Sequence, residues 1–234
     1  RNTQSEFNFK SLSWHGFGLL LVSAAALCFE VNLTRLFSVS QFYHFAFMVV
    51  SIALFGFGAS GAFLSILDDR KTGWENAFSR RPELDLWVLL YSVAAMSAYM
   101  ALNALPLDYF RLPSEPVQIV YLLTAYLSLS VPFFLAGGIV STGFAALPSH
   151  PGLIYFSTMS GSALGALVPI SLLSHIDEGP LLVLFAAFPL IFCFLPGTGT
   201  SETGGKAKGA IAAAGAVAIG ASIFLAVVND GDLV

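Results

Sequence analysis

Charge is what this 234-residue sequence has least of. Asp, Glu, Lys and Arg make up 10% of it, against roughly 25% in an ordinary soluble domain. Mean hydropathy is +0.80, and together the two values exclude a water-soluble globular protein and imply an integral membrane protein. The net charge of -4 is scattered over connecting segments and forms no basic stripe, so nucleic acid is excluded as an expected partner. Only two cysteines are present, Cys28 and Cys193, each alone in an apolar run. They make neither a disulfide framework nor a CxxC metal or redox motif, and read as two small buried hydrophobes. No metal and no cofactor is expected. His15, His150 and His175 stand singly at the ends of apolar runs, where a wet interfacial histidine is the ordinary case. "GFGASG" at 56–61 lies inside a hydrophobic run, without the preceding strand and following Lys-Ser/Thr that a phosphate loop requires.

Long apolar runs are what the chain has instead. Seven can be drawn, at roughly 14–36, 42–66, 85–107, 117–147, 153–174, 180–196 and 208–228, bounded by charges, prolines or glycines. Each approaches the roughly 20 residues needed to cross a hydrocarbon core of about 30 Å. Continuous runs, without period-two alternation, exclude a strand barrel. The expected fold is therefore an all-α polytopic bundle of about seven transmembrane helices spanning residues 14–228, with a cytoplasmic segment 1–13 before it and a tail 229–234 after it. "LVSAAALC" has Leu27 where a lipoprotein cleavage box needs a small residue, so the first run is read as a retained helix.

Lys and Arg set the orientation. Arg1, Lys10, Arg70, Lys71, Arg80, Arg81, Lys206 and Lys208 fall on the amino-terminal side of a seven-span topology, and only Arg35 and Arg111 fall opposite. The amino terminus is thus expected in the cytoplasm, and the membrane is expected to be a bacterial inner membrane. Trp14, Trp74 and Trp87 fall at or near span ends, as interfacial anchors do.

Helices in lipid associate by close backbone approach, which small residues at spacing four permit. The fifth run has Ser157, Gly161 and Gly165, the second has Gly56 with Ser60 and Gly58 with Ala62, and the last has Ala212, Ala216 and Gly220. All are expected at helix-packing faces. Pro132, followed by Gly137 and Gly138, predicts a kink or break in the long fourth run. Pro189 marks the short sixth run as a second irregular element.

"AALCFEVNLTRLF", residues 25–37, is the exception within this apolar text, because it sets Glu30, Asn32 and Arg35 in one membrane helix. At 100° per residue, Ser23, Glu30 and Thr34 share one stripe, and Cys28, Asn32 and Arg35 share another. Glu30 and Arg35 point about 140° apart, so each needs a partner from elsewhere. A charged acid at mid-span costs about 2.5 kcal/mol or more on insertion scales, which calls for protonation, pairing or a water-filled cavity. His44, at the start of the second run, and an Arg35 from another helix or subunit are the candidate partners for Glu30, and Asn103 in the third run is a further polar candidate. These five residues are either ligand or proton-coupling groups or a hydrogen-bond network that locks the fold.

The blocks "SAAALCFEVNLTRLFS", "YHFAFMVVSIALFGFGASG", "VPFFLAGGIVSTGFA" and "STMSGSALGALVPI" occur in that order. Across them the chain resembles the membrane module of the membrane-bound spermidine/spermine synthase-like proteins, in which a multi-span region precedes a Rossmann-type aminopropyltransferase domain. The resemblance highlights Glu30, Thr34, Arg35, His44, Gly56, Gly58, Gly61, Pro132 and Gly137, and attaches no catalytic role to them. An aminopropyltransferase domain implies a Gly-rich nucleotide loop after a strand and acidic polyamine-binding residues, and no such region stands in these 234 residues. The expected function is accordingly a non-catalytic membrane subunit or anchor that assembles with protein partners in the bilayer. A small-solute or proton-coupled transporter and the membrane half of a synthase-like enzyme are the alternatives.

Overall fold

The computed structural model describes residues 2–40, 43–68, 81–106, 115–146, 148–173 and 178–191. They form six α-helices and one 3-10 turn, and no strand occurs among the described residues. The helices are α1 (Asn2–Ser40), α2 (Tyr43–Asp68), α3 (Arg81–Ala104), α4 (Pro116–Ala146), α5 (Pro151–Leu172) and α6 (Glu178–Ala187), with the 3-10 turn at Phe188–Leu190. Five of them carry stretches long and apolar enough to cross a membrane: His15–Val39, Phe47–Ile66, Leu86–Ala104, Pro116–Ala145 and Pro151–Leu172. The expected seventh run, with Ala212, Ala216 and Gly220, lies outside the described residues, as does the tail 229–234.

Helix α1 begins at Asn2, so residues 2–13, expected as a segment before the first span, are helical and continuous with it, while the apolar stretch itself starts at His15. Helix α4 is continuous from Pro116 to Ala146, so of the kink or break expected at Pro132 the break does not occur. The missing Pro132 N–H removes one backbone bond, to Ser128, and α2 packs against this same turn: a side-chain carbon at Gly56 would sit 2.6 Å from Phe133 Cβ and 2.8 Å from the Ser130 carbonyl. Tertiary contact thus holds a turn that proline would weaken in isolation. The irregularity expected at Pro189 is present: α6 gives way to the 3-10 turn at Phe188–Leu190, and residues 192–196 of the sixth run lie outside the described residues. Pro189 cannot donate to the carbonyl four residues back, and α6 is too short to cross a membrane by itself.

Helix α1 is the centre of the bundle. In its apolar stretch 72% of the most apolar window is buried, against 28–33% in the other four spans. It packs most extensively on α5, and also on α2, α6 and α4. Its lower half meets Tyr91, Ala136, Ile139 and Ile154 through Leu19, Val22 and Ala25. Its upper half meets Val49, Ile52, Leu129, Phe133 and Leu182 through Phe29 and Leu33. Phe133 is fully buried, with tilted ring contacts to Phe29 at 5.9 Å and Phe57 at 6.1 Å.

Two glycine seams fix the helix directions. Side-chain carbons at Gly161 and Gly165 would meet the carbonyl oxygens of Leu20 and Ala24, while one at Gly16 would sit 2.9 Å from Ser157 Oγ. The pairs 16–157, 20–161 and 24–165 advance together in steps of four, so α1 and α5 run parallel. Along the other seam Gly56 meets Phe133, and Gly137 would crowd Ser60 Oγ if it carried a side chain. Helices α2 and α4 therefore also run parallel. Cys28 packs with Leu181 and Phe185, while Asn32, a turn later, reaches Glu178 at the start of α6, so α6 runs antiparallel to α1. The register is that of a chain alternating direction at each connection.

Not every small residue lies at a seam. Among the described residues, side chains added at Gly58, Gly61 or Gly138 would meet nothing within 4 Å outside their own helices. Gly58, expected at a packing face, is on the open face of α2, and Gly137, expected as a kink residue, is a packing residue.

Candidate functional site

The polar residues of α1 converge on one residue. Asn32 is fully buried, and its Nδ2 donates to the backbone oxygen of Glu178 at 2.8 Å. One turn on, Arg35 Nε donates to Glu178 Oε1 at 3.1 Å. The stripe of Cys28, Asn32 and Arg35 is thus the stripe that faces α6. Helix periodicity places the two polar side chains one turn apart on one face, and the amino-terminal residue of α6 offers a carbonyl and a carboxylate to that face. A carboxylate there also faces the unpaired N–H groups and positive end of the helix.

Burial grades the two bonds. The Arg35 and Glu178 side chains are 48% and 25% exposed, and exposed ion pairs contribute at most about 1 kcal/mol. Asn32 is at 0% exposure, where a lost partner leaves a polar group without water. Arg35→Gln is accordingly expected to lower stability by no more than about 1 kcal/mol, read by thermal melting in bicelles. A larger loss would mean that Arg35 has a weightier role than holding Glu178.

The remaining sequence-predicted residues are not brought to this point. Thr34 Oγ1 donates to the Glu30 backbone oxygen at 2.8 Å. The Glu30 carboxylate is half-buried and makes no hydrogen bond or ion pair among the described residues. Asn103 is exposed near the end of α3. His44 lies in the first turn of α2, and its side chain is outside the described residues. Among the described residues no three His, Cys, Asp or Glu side chains come together as metal ligands would. Among the described residues, Asn32 Oδ1, Tyr91 Oη and Ser92 Oγ are buried without a hydrogen-bond partner.

Glu178 is the site residue that sequence reasoning missed. Its signal was present in "DEGP", residues 177–180: an acid at a helix start just before an apolar run, within a chain whose Arg35 needed an anion.

A second feature is a groove of about 500 Å³ between α1, α2, α4 and α5. From α1 it is lined by Ser23, Ala26 and Leu27, and its other walls include Phe57, Ala136 and Ser162.

No known family, curated protein or solved structure matches this chain. Fold and site therefore define its class by themselves: an all-helical bundle, consistent with a multi-pass membrane protein, built around a buried first span whose amide and guanidinium are engaged by the short sixth helix.

Proposed function

We propose that the chain is a non-catalytic integral membrane subunit or anchor, a bundle of about seven transmembrane helices that assembles with protein partners in a bacterial inner membrane. The observation that carries this reading is the capture of Asn32 and Arg35 by Glu178 of the same chain. Those groups act as internal fasteners and are not offered to a solute. The wide apolar faces fit the same role, for Phe47, Leu54, Phe63, Phe156 and Leu167 are all exposed, as lipid-facing or partner-facing residues are. The alternating helix register accords with an amino terminus on the cytoplasmic side, together with the basic connection 69–80 and the connection to α5.

Extraction of the protein from its native membrane in a lipid-retaining polymer, followed by native mass spectrometry, tests the proposal. Stoichiometric protein partners are expected on the chain. Recovery of the chain with lipid alone, at every extraction condition, would overturn it. Glu30, which makes no hydrogen bond or ion pair among the described residues, favours one second reading, a proton-coupled transporter. On that reading Glu30→Gln abolishes uptake and leaves assembly intact.

A further inference from the structure

The groove between α1, α2, α4 and α5 lies in one half of the bundle. Ser23, Ala26 and Leu27 line it from α1, between the start and the middle of the His15–Val39 span. Met159 and Ser162 line it from α5, at a similar depth from Pro151. Helices α1 and α5 run parallel, so the groove is in the half where both begin. Helix α6 runs back towards that half, and Phe188, just after it, packs on the cluster of Leu19, Val22 and Ala26. The chain beyond Ile191 therefore sets out on the groove's side of the membrane. The connection 192–207 can stretch to about 50 Å, against a helix diameter of about 10–12 Å. The groove is thus within reach of the seventh apolar run, 208–228.

The composition of that run suits it to the groove. From Gly209 to Ser222 every residue is Gly, Ala or Ser except Ile211, Val217 and Ile219. At 100° per residue, Gly209, Ala212, Ala213, Ala216 and Gly220 share a stripe on which no side chain exceeds a methyl. Such a stripe offers little to fluid lipid tails, which fill any surface, and gains instead by close backbone approach. The groove permits that approach, because its walls include Ser23 and Ala26 of α1, Ala136 of α4 and Ser162 of α5. Close approach at small residues is also how α2 and α5 are seated, at Gly56 and Gly161. Depth agrees as well: Ala216 stands as far from Lys208 as Ser23 does from His15 and Met159 from Pro151. We infer that the seventh run of this same chain docks along the groove, parallel to α1 and α5, with the ridge of Ala212, Ala216 and Gly220 seated between them. The inference rests on the seventh span of the proposed function and not on its protein partners.

Disulfide cross-linking of the full chain in its native membrane tests this, in a background carrying Cys28→Ala and Cys193→Ala. Met159→Cys is paired with Ala216→Cys, and Ser162→Cys with Gly220→Cys. Ala214→Cys and Ala218→Cys, on the opposite side of the run, are the controls with the same two partners. A disulfide forms only where the two Cβ atoms come within about 4 Å. After oxidation the chain is cut at a protease site inserted in the connection 197–205, and the two fragments are expected to stay joined for the first two pairs and to separate for the controls. Asn229→Cys, labelled by a membrane-impermeant maleimide, reports independently whether the run crosses the bilayer, and labelling from the periplasmic face is expected. Such labelling with separated fragments in every pair would overturn the inference and leave the seventh span standing. Labelling from the cytoplasmic face alone would overturn both. Fragments joined equally in test pairs and controls would overturn the seating of the ridge, and cross-links between two chains would mark the groove as a contact between copies instead.

Discussion

Alanine at Gly161 or Gly165 is expected to destabilise the bundle by about 1–3 kcal/mol each, and the double substitution to prevent α1 from seating on α5. The added methyl has nowhere to go, for at both positions the space is held by backbone carbonyls of α1, those of Leu20 and Ala24. A flexible side chain can rotate away, but a helix backbone can only move as a body. Relief therefore requires separating the two helices along the whole seam, with loss of the dispersion contacts that stand in for the hydrophobic effect inside a bilayer. The control has the opposite sign. Gly58 and Gly138 have no neighbour within 4 Å of an added methyl among the described residues, and alanine exceeds glycine in helix propensity by up to about 1 kcal/mol. Gly58→Ala and Gly138→Ala are thus expected to leave stability unchanged or to raise it. Thermal melting of the four variants in bicelles separates these outcomes, and equal effects at all four glycines would refute the assignment of the seam.

Asn32→Asp is expected to be the most damaging isosteric change in the protein, costing about 3–5 kcal/mol as uncompensated buried charges do. The substitution removes the Nδ2 donor from the Glu178 carbonyl and replaces it with an acceptor. It also brings a negative charge into a site of 0% exposure, beside an acidic residue. Asn32→Leu, by contrast, loses a single hydrogen bond, which in membrane proteins averages about 0.6 kcal/mol, and it removes the orphaned Oδ1 as well. A large gap between the two variants is therefore the signature of the site. The defect in Asn32→Asp also carries a pH dependence of known sign. A protonated acid is neutral and donates an O–H to the Glu178 carbonyl, so stability is expected to recover as pH falls and to worsen as it rises. Melting temperatures across a pH series check this against Asn32→Leu, which has no such dependence.

The two seams were legible in the sequence as small residues at spacing four, because that spacing is the only way two backbones can approach closely over several turns. Which stripe of α2 makes the contact was not legible. Gly56 and Gly58 sit two residues apart on opposing stripes, and only the position of α4 selects Gly56. Pro132 is a case of the same kind, since local chemistry favours a break and the docking of α2 overrides it. The polar stripe of Cys28, Asn32 and Arg35 followed from helix periodicity alone. Its partner did not, because Glu178 lies 146 and 143 residues away from Asn32 and Arg35 in the chain and a single sequence gives no distance between remote segments. The direction of α6, which brings its first residue to the end of α1, is a property of the assembled bundle.

The account rests most directly on the bond from Asn32 to the Glu178 carbonyl, because that bond makes the polar residues of α1 fasteners of the fold. Solid-state NMR of the isotopically labelled protein in lipid tests it through the dipolar coupling between the Asn32 side-chain nitrogen and the Glu178 carbonyl carbon. A coupling in keeping with the 2.8 Å nitrogen-to-oxygen contact is the result the account predicts. With both resonances resolved and no coupling between them, Asn32 would be free to face a solute or another subunit, and the proposed role of the cluster would be contradicted.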